Sequence, residues 1–132
     1  MKYSVAIRTL GRAGSKYQAL LDSIAKQTIL PQAIYVYIPI GYTIPKETIG
    51  VEKYVFVDKG MVTQRALQYD EVETEYILFC DDDLSLPENA VEELYNSLVA
   101  NNAQIISPDV FNNAQRGMAS ELLMTISGRM RA

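Results

Sequence analysis

Tyr76-Ile77-Leu78-Phe79-Cys80-Asp81-Asp82-Asp83 is the stretch on which the fold turns. An apolar run, rich in aromatic and branched side chains, passes directly into three carboxylates. A continuous apolar run of this length predicts a strand buried on both faces of a sheet. The next segment, Leu84-Ser85-Leu86-Pro87-Glu88, is expected to open a helix. The aspartates therefore fall where a strand meets its loop, the edge at which open α/β sheets bind ligands. Strand alternation sends Asp81 and Asp83 to one side and Asp82 to the other. Two convergent carboxylates make a hard oxygen site, suited to Mg²⁺ or Mn²⁺ shared with substrate phosphates. Acids ahead of a helix also cap it and complement its dipole. The buried strand in front, and the mutual repulsion of three adjacent charges, favour the cation here.

The rest of the composition narrows the chemistry. The 132 residues suggest one domain, 1–132, with room for a sizeable core. A hydrophobic content of 48% and a charged content of 21% fit an ordinary globular domain. A formal charge of −4 gives no reason to expect nucleic acid or an anionic membrane as partner. No apolar run approaches a membrane span. Met1 to Arg8 is too short and too soon charged for a signal peptide. A cytoplasmic location is the default expectation, with docking at a membrane periphery still compatible. Histidine is absent, which removes Ser-His-Asp and Cys-His catalysis and most zinc sites. The single cysteine, Cys80, belongs to an apolar strand and reads as a packing residue.

Around the acidic stretch the elements alternate. Tyr3 to Arg8 reads as the first strand, followed by the loop Thr9-Leu10-Gly11-Arg12-Ala13-Gly14. Ser15-Lys16-Tyr17-Gln18 fits a capping box, with Ser15 as N-cap. Tyr17, Leu20, Leu21, Ile24 and Ala25 continue at helical spacing. Ile34 to Ile38 and Lys53 to Asp58 read as strands, with a Pro45-containing loop between them. Met61 to Tyr69 is expected to form a short helix, and Asp70 to Glu75 a solvated acidic connection. Val91, Leu94, Tyr95, Leu98 and Val99 mark the apolar face of a further helix. Gln104 to Ser107 reads as a strand and Met118 to Ile126 as helical. This order implies an α/β fold, a three-layer α/β/α sandwich on a mostly parallel, Rossmann-like sheet. Of the nine tyrosines, Tyr17 and Tyr42 are placed nearest the ligand edge.

Taken together, four stretches resemble family 2 glycosyltransferases of the GT-A fold. They are Ser4 to Thr9, Ser23-Ile24-Ala25-Lys26-Gln27-Thr28, Gln64-Arg65-Ala66-Leu67, and Glu75 to Asp83 with its following Leu86-Pro87-Glu88. In that family a Thr-containing loop follows the first strand, and the first helix commonly ends in Gln-Thr. A Glu-Tyr-Ile strand leads into an Asp-X-Asp motif, and an Asn-Arg-Gly-Leu segment corresponds to Gln64 to Leu67. The match spans about residues 3 to 107. The resemblance implies transfer of a sugar from a nucleotide-diphosphate donor of UDP or GDP type, dependent on Mn²⁺ or Mg²⁺. It makes Asp81 and Asp83 the Asp-X-Asp pair, on ribose and metal. It puts Thr9, Leu10, Arg12, Asp82, and Arg65 or Lys59 around the nucleotide sugar.

Departures from the pattern carry their own expectations. The acidic pair that many members carry after the second strand is replaced by Tyr37-Ile38-Pro39-Ile40, which leaves the nucleobase open. Leu10-Gly11 stands where Tyr-Asn is common. Inverting transfer needs a base for the acceptor hydroxyl. The family's acceptor-side carboxylate lies well beyond Asp-X-Asp, and only Asp109 and Glu121 follow the third helix here. The expectation is a nucleotide-binding half, C-terminally truncated, with apolar surface near Val110-Phe111 and Leu122-Leu123 inviting a homo-oligomer. A non-catalytic nucleotide-sugar-binding module stands as the alternative. A haloacid-dehalogenase-type phosphatase would use Asp81 as nucleophile and Asp83 as acid on Mg²⁺. That scheme wants a downstream lysine, and none follows Lys59. A receiver-type domain wants acids after the first strand, where Arg8-Thr9 stands.

Overall fold

The computed structural model describes residues 1–63, 67–106 and 122–126. Strands β1 (Tyr3–Arg8), β2 (Ala33–Pro39), β3 (Lys53–Val57), β4 (Tyr76–Asp81), β5 (Ile105–Ile106) and β6 (Leu122–Ile126) form one sheet. Helices α1 (Ser15–Ala25), α2 (Lys59–Thr63) and α3 (Ala90–Ala100) connect them. The strand order is β3-β2-β1-β4-β6-β5. The first four are mutually parallel, and β6 runs antiparallel between β4 and β5. The architecture is the expected Rossmann-like α/β sandwich, and β4 is interior, between β1 and β6.

Alternation along the strands sorts the core into two faces. On one, Tyr3, Val5, Ile7, Val36, Leu78 and Cys80 pack with Leu20, Leu21 and Ile24 of α1 and Val91, Leu94 and Leu98 of α3. On the other, Ala6, Tyr37 and Ile77 are closed by Val72, with Leu67 and Tyr69 beside them. The Tyr69 ring stands edge-on to Tyr37 at 5.4 Å and to Phe79 at 4.5 Å. The connection expected to be solvated is therefore part of the core. Val72 and Thr74 are buried, Thr74 meets Ser4 at 2.8 Å, and the Tyr37 hydroxyl donates to Glu71 at 2.8 Å. The helix expected over Met61 to Tyr69 is α2, which begins at Lys59; residues 67–69 are not helical, and 64–66 lie outside the described residues.

Other expectations are also revised. The capping box at Ser15 does not form. Gly14, at φ 60°, takes the N-cap position, so Ser15 is already helical. Gln18 instead donates to Asp22 and to the Thr48 carbonyl, and accepts from the Thr48 N–H, tying α1 to the loop after β2. Residues 84–89 lead into α3 without being helical, and Val99 is exposed. Leu122 to Ile126 is a strand, not a helix. The side of β4 away from β1 offers a ladder, and burying Leu122 and Met124 there outweighs helix propensities of a few tenths of a kcal/mol. Leu122-Leu123 is thus paired against Cys80 and Phe79 rather than left uncovered. Met118, Val110 and Phe111 lie outside the described residues, as does Ser107 at the end of the expected fifth strand.

What pins the chain after β4 is the end of α1. Buried Gln27, just past the end of α1, accepts from the Val91 N–H at 3.0 Å, and so caps α3 from outside it. Its amide donates to the carbonyls of Pro87 and Ser23. Ser23 accepts from the Leu86 N–H, and the Thr28 N–H donates to the Glu88 carbonyl. Replacing Gln27→Ala strands a buried N–H and a carbonyl together. It should lower unfolding stability by about 2–3 kcal/mol, read as a drop in the denaturant midpoint with the slope unchanged.

Candidate functional site

β1 and β4 lie side by side in parallel, with Arg8 opposite Asp81 in the register. Each is the last residue of its strand, on the same side of the sheet. The buried Arg8 guanidinium pairs with the Asp81 carboxylate, Nη2 to Oδ1. One residue on, the Thr9 hydroxyl donates to Asp82 Oδ2 at 2.7 Å. The ends of the two strands are thus tied twice, ion pair then hydrogen bond.

The chain after Thr9 turns sharply. The Gly11 N–H donates back to Thr9 Oγ1 at 2.9 Å, and Gly11 has φ +78°. A Cβ at Gly11 would lie 2.7 Å from the Thr43 carbonyl oxygen, so backbone approaches backbone there. The glycine belongs to the turn and its close packing, which a lone GxxG-like spacing does not announce.

Between these walls lies a cavity of about 530 Å³. Thr9, Leu10, Arg12, Ala13 and Lys16 line it from the β1–α1 side, Asp81, Asp82 and Asp83 from the β4 side. Arg8, Val62 and Thr63 complete the lining. The expected alternation of the aspartates fails because β4 ends at Asp81. Asp82 and Asp83 sit in a turn, and all three carboxylates border one cavity. Of the sequence candidates, Thr9, Leu10, Arg12, Asp81, Asp82 and Asp83 come together. Lys59 does not line the cavity; its ammonium sits 5.6 Å from the centre of the Tyr42 ring. Tyr17 is buried with its hydroxyl 2.7 Å from that of Tyr54, a core position rather than an edge one. Arg65, Asp109 and Glu121 lie outside the described residues. Sequence reasoning missed Arg8, Lys16, Val62 and Thr63. Arg8 had a signal: two opposite charges ending neighbouring parallel strands.

Burial shapes the titration of the site. It pushes the Asp82 carboxyl upward, reinforced by Asp83 and Asp81, while the Thr9 hydrogen bond pulls the other way. Burial also pushes the Cys80 thiol up, which keeps it an inert packing group. No three acidic or cysteine side chains among the described residues come together as a cation cage. With one Asp81 oxygen engaged by Arg8, the donor set fits a cation completed by ligand oxygens, not one held by protein alone.

Comparison with known proteins places the fold. No family model matches the chain, and no curated protein matches it. Solved structures do. TarS of S. aureus, residues 1–349, superposes with a TM-score of 0.57 at 19% identity, over 80% of this chain and 34% of that one. The TarS complex with UDP-GlcNAc gives 0.53 at 18%, over 80% and 33%. The 4-diphosphocytidyl-2C-methyl-D-erythritol synthase of Anaerococcus prevotii gives 0.50 at 15%, over 95% and 71%. The chain shares its fold with TarS and with the Anaerococcus prevotii synthase. This chain spans about a third of the length of TarS 1–349 and about a fifth of that of the longer TarS structure. Among the described residues no helix is long and apolar enough to cross a membrane.

Asp82 gives a test with a definite sign. A carboxyl raised on folding favours the protonated form, so its burden on stability is absent below the unfolded value and grows as pH rises through the folded one. Asp82→Asn keeps an acceptor for Thr9 and removes the charge. Its melting temperature should exceed that of the parent by about 2–4 °C at neutral pH and converge with it below about pH 4. Thermal unfolding from pH 3.5 to 8 measures the crossover.

Proposed function

We propose that this cavity is the donor site of a family 2 glycosyltransferase, binding a nucleotide-diphosphate sugar of UDP or GDP type. The observation that carries the reading is the meeting of the Thr9 loop and the Asp81 to Asp83 turn across β1 and β4. It lies at the carboxyl edge of a parallel sheet, where such folds place nucleotides. TarS, which shares the fold, has been captured with UDP and with UDP-GlcNAc. In this reading Thr9 and Leu10 border the nucleoside, Asp81 and Asp82 face the ribose and sugar, and Arg12 faces the diphosphate. Arg65 is a further cation for the diphosphate, a role that Lys59, away from the cavity lining, does not take. Asp83, with Asp81 beside it, supplies carboxylate oxygen to a Mn²⁺ or Mg²⁺ ion completed by diphosphate oxygens. Such an ion neutralises charge on the leaving diphosphate. Asp109 and Glu121 are the candidate acceptor-side bases.

Calorimetry with UDP and GDP tests the reading. Binding to one of the two, tightened about three- to tenfold by Mn²⁺, is the expected result. Asp83→Asn should abolish the tightening while leaving the fold intact by circular dichroism. Failure of both nucleotides to bind under any condition would remove the donor-site reading.

A further inference from the structure

We infer that Arg12 and Lys16 together form the principal diphosphate grip of this site, so that nucleoside diphosphate binding persists without a divalent cation. The inference rests on the donor-site reading above and adds to it which groups carry the ligand's charge. Arg12 sits in the loop after β1, and Lys16 in the first turn of α1, four positions on. Both line the cavity, both are exposed, and neither makes an ion pair among the described residues. Ala13 lies between them on the same wall, and its small side chain leaves that wall open to a ligand.

The opposite wall is acidic, yet poorly suited to do the neutralising. A nucleoside diphosphate brings several negative charges, which the aspartates repel. Arg8 offsets one of those aspartates, Asp81, through its buried ion pair, and is itself held in place by it. Among the described residues the acidic wall has no cage of three donors to fix a cation in advance of the ligand. Arg12 and Lys16 are already present as cations, and a guanidinium with an ammonium is a chemically apt pair for phosphate oxygens. The first offers a planar fork, the second a mobile point charge. Their flexible stems lose rotamer freedom on binding, which limits the affinity without changing its sign. The cation of the preceding section then adds to a grip that already exists.

The test is calorimetry with UDP and GDP in Mn²⁺ and in EDTA. It uses the unmodified chain, Arg12→Met/Lys16→Met, and Asp83→Asn, with each fold checked by circular dichroism. In EDTA the unmodified chain should bind within about tenfold of its Mn²⁺ affinity. The double variant should lose at least about tenfold in both conditions. Asp83→Asn in EDTA should bind at least as tightly as the unmodified chain, because a repelling charge has gone. The single variants Arg12→Met and Lys16→Met, each weakening binding measurably, serve if the double variant fails to fold. A loss beyond tenfold in EDTA, or a double variant within tenfold of the parent, overturns the inference and leaves the metal-assisted donor site standing. Absence of binding even with Mn²⁺ removes both.

Discussion

The buried pairing of Arg8 with Asp81 is the constraint on which the site depends. A guanidinium at the end of an interior strand, only 9% exposed, is tolerable only with a countercharge. The register supplies one, since Asp81 is the residue directly across from Arg8. A slip of one residue between β1 and β4 would point one of the two charges to the opposite face. The pair therefore acts against misregistration more than it adds net stability, because desolvating both charges consumes most of their attraction. Everything at the cavity follows from that alignment. Thr9 and Asp82 are each one residue further on, and they meet because Arg8 and Asp81 already have.

A second constraint acts from behind. The acidic turn would wander if the chain after it were loose. Gln27, Ser23 and Thr28, at the end of α1, hold the backbone at Leu86, Pro87, Glu88 and Val91. The exit from the turn is thus fixed to the helix that begins next to the other wall of the cavity. Both walls are thereby tied to one helix, as a preorganised site requires. This explains why a polar Gln27 is buried where an apolar residue would pack: it makes three hydrogen bonds, two of them across about sixty residues of chain.

Much of this was legible in the sequence, for identifiable reasons. The β4 stretch announced itself by a continuous apolar run, and the ends of β1 and β2 by branched residues closing at Thr9 and Pro39. The aspartates were placed correctly at a strand end because a buried strand and a charge triplet cannot overlap. What remained hidden depended on distant partners. Gly14 displaces the helix start that Ser15 and Gln18 suggest, because a positive φ costs glycine little. Leu122 to Ile126 reads helical alone and becomes a strand because β4 offers it an edge. Val72 and Thr74 hide within an acidic string, since one apolar residue among five polar ones shows no period. Lys16 stands out in the sequence only as part of the Ser15 to Gln18 stretch, and the fold brings it to the cavity that the aspartates line from the other side.

The fold by itself does not choose a reaction. TarS and the Anaerococcus prevotii synthase share this fold at under 20% identity, a likeness that carries the fold and not a substrate. What distinguishes one use of such a sheet from another is the side chains at its carboxyl edge. Here those are three carboxylates, one paired with a buried arginine and one with a threonine, facing an arginine and a lysine. An all-acidic edge would suit a free cation, and an all-basic one a bare phosphate. Opposed walls of both signs suit a ligand with an anionic part and a hydroxyl-bearing part. The anion lies against the cations, and hydroxyls donate to carboxylate oxygens. A sugar joined to a diphosphate has both parts at fixed separation, which ties the donor reading to the division of charge across the cavity rather than to the fold it shares.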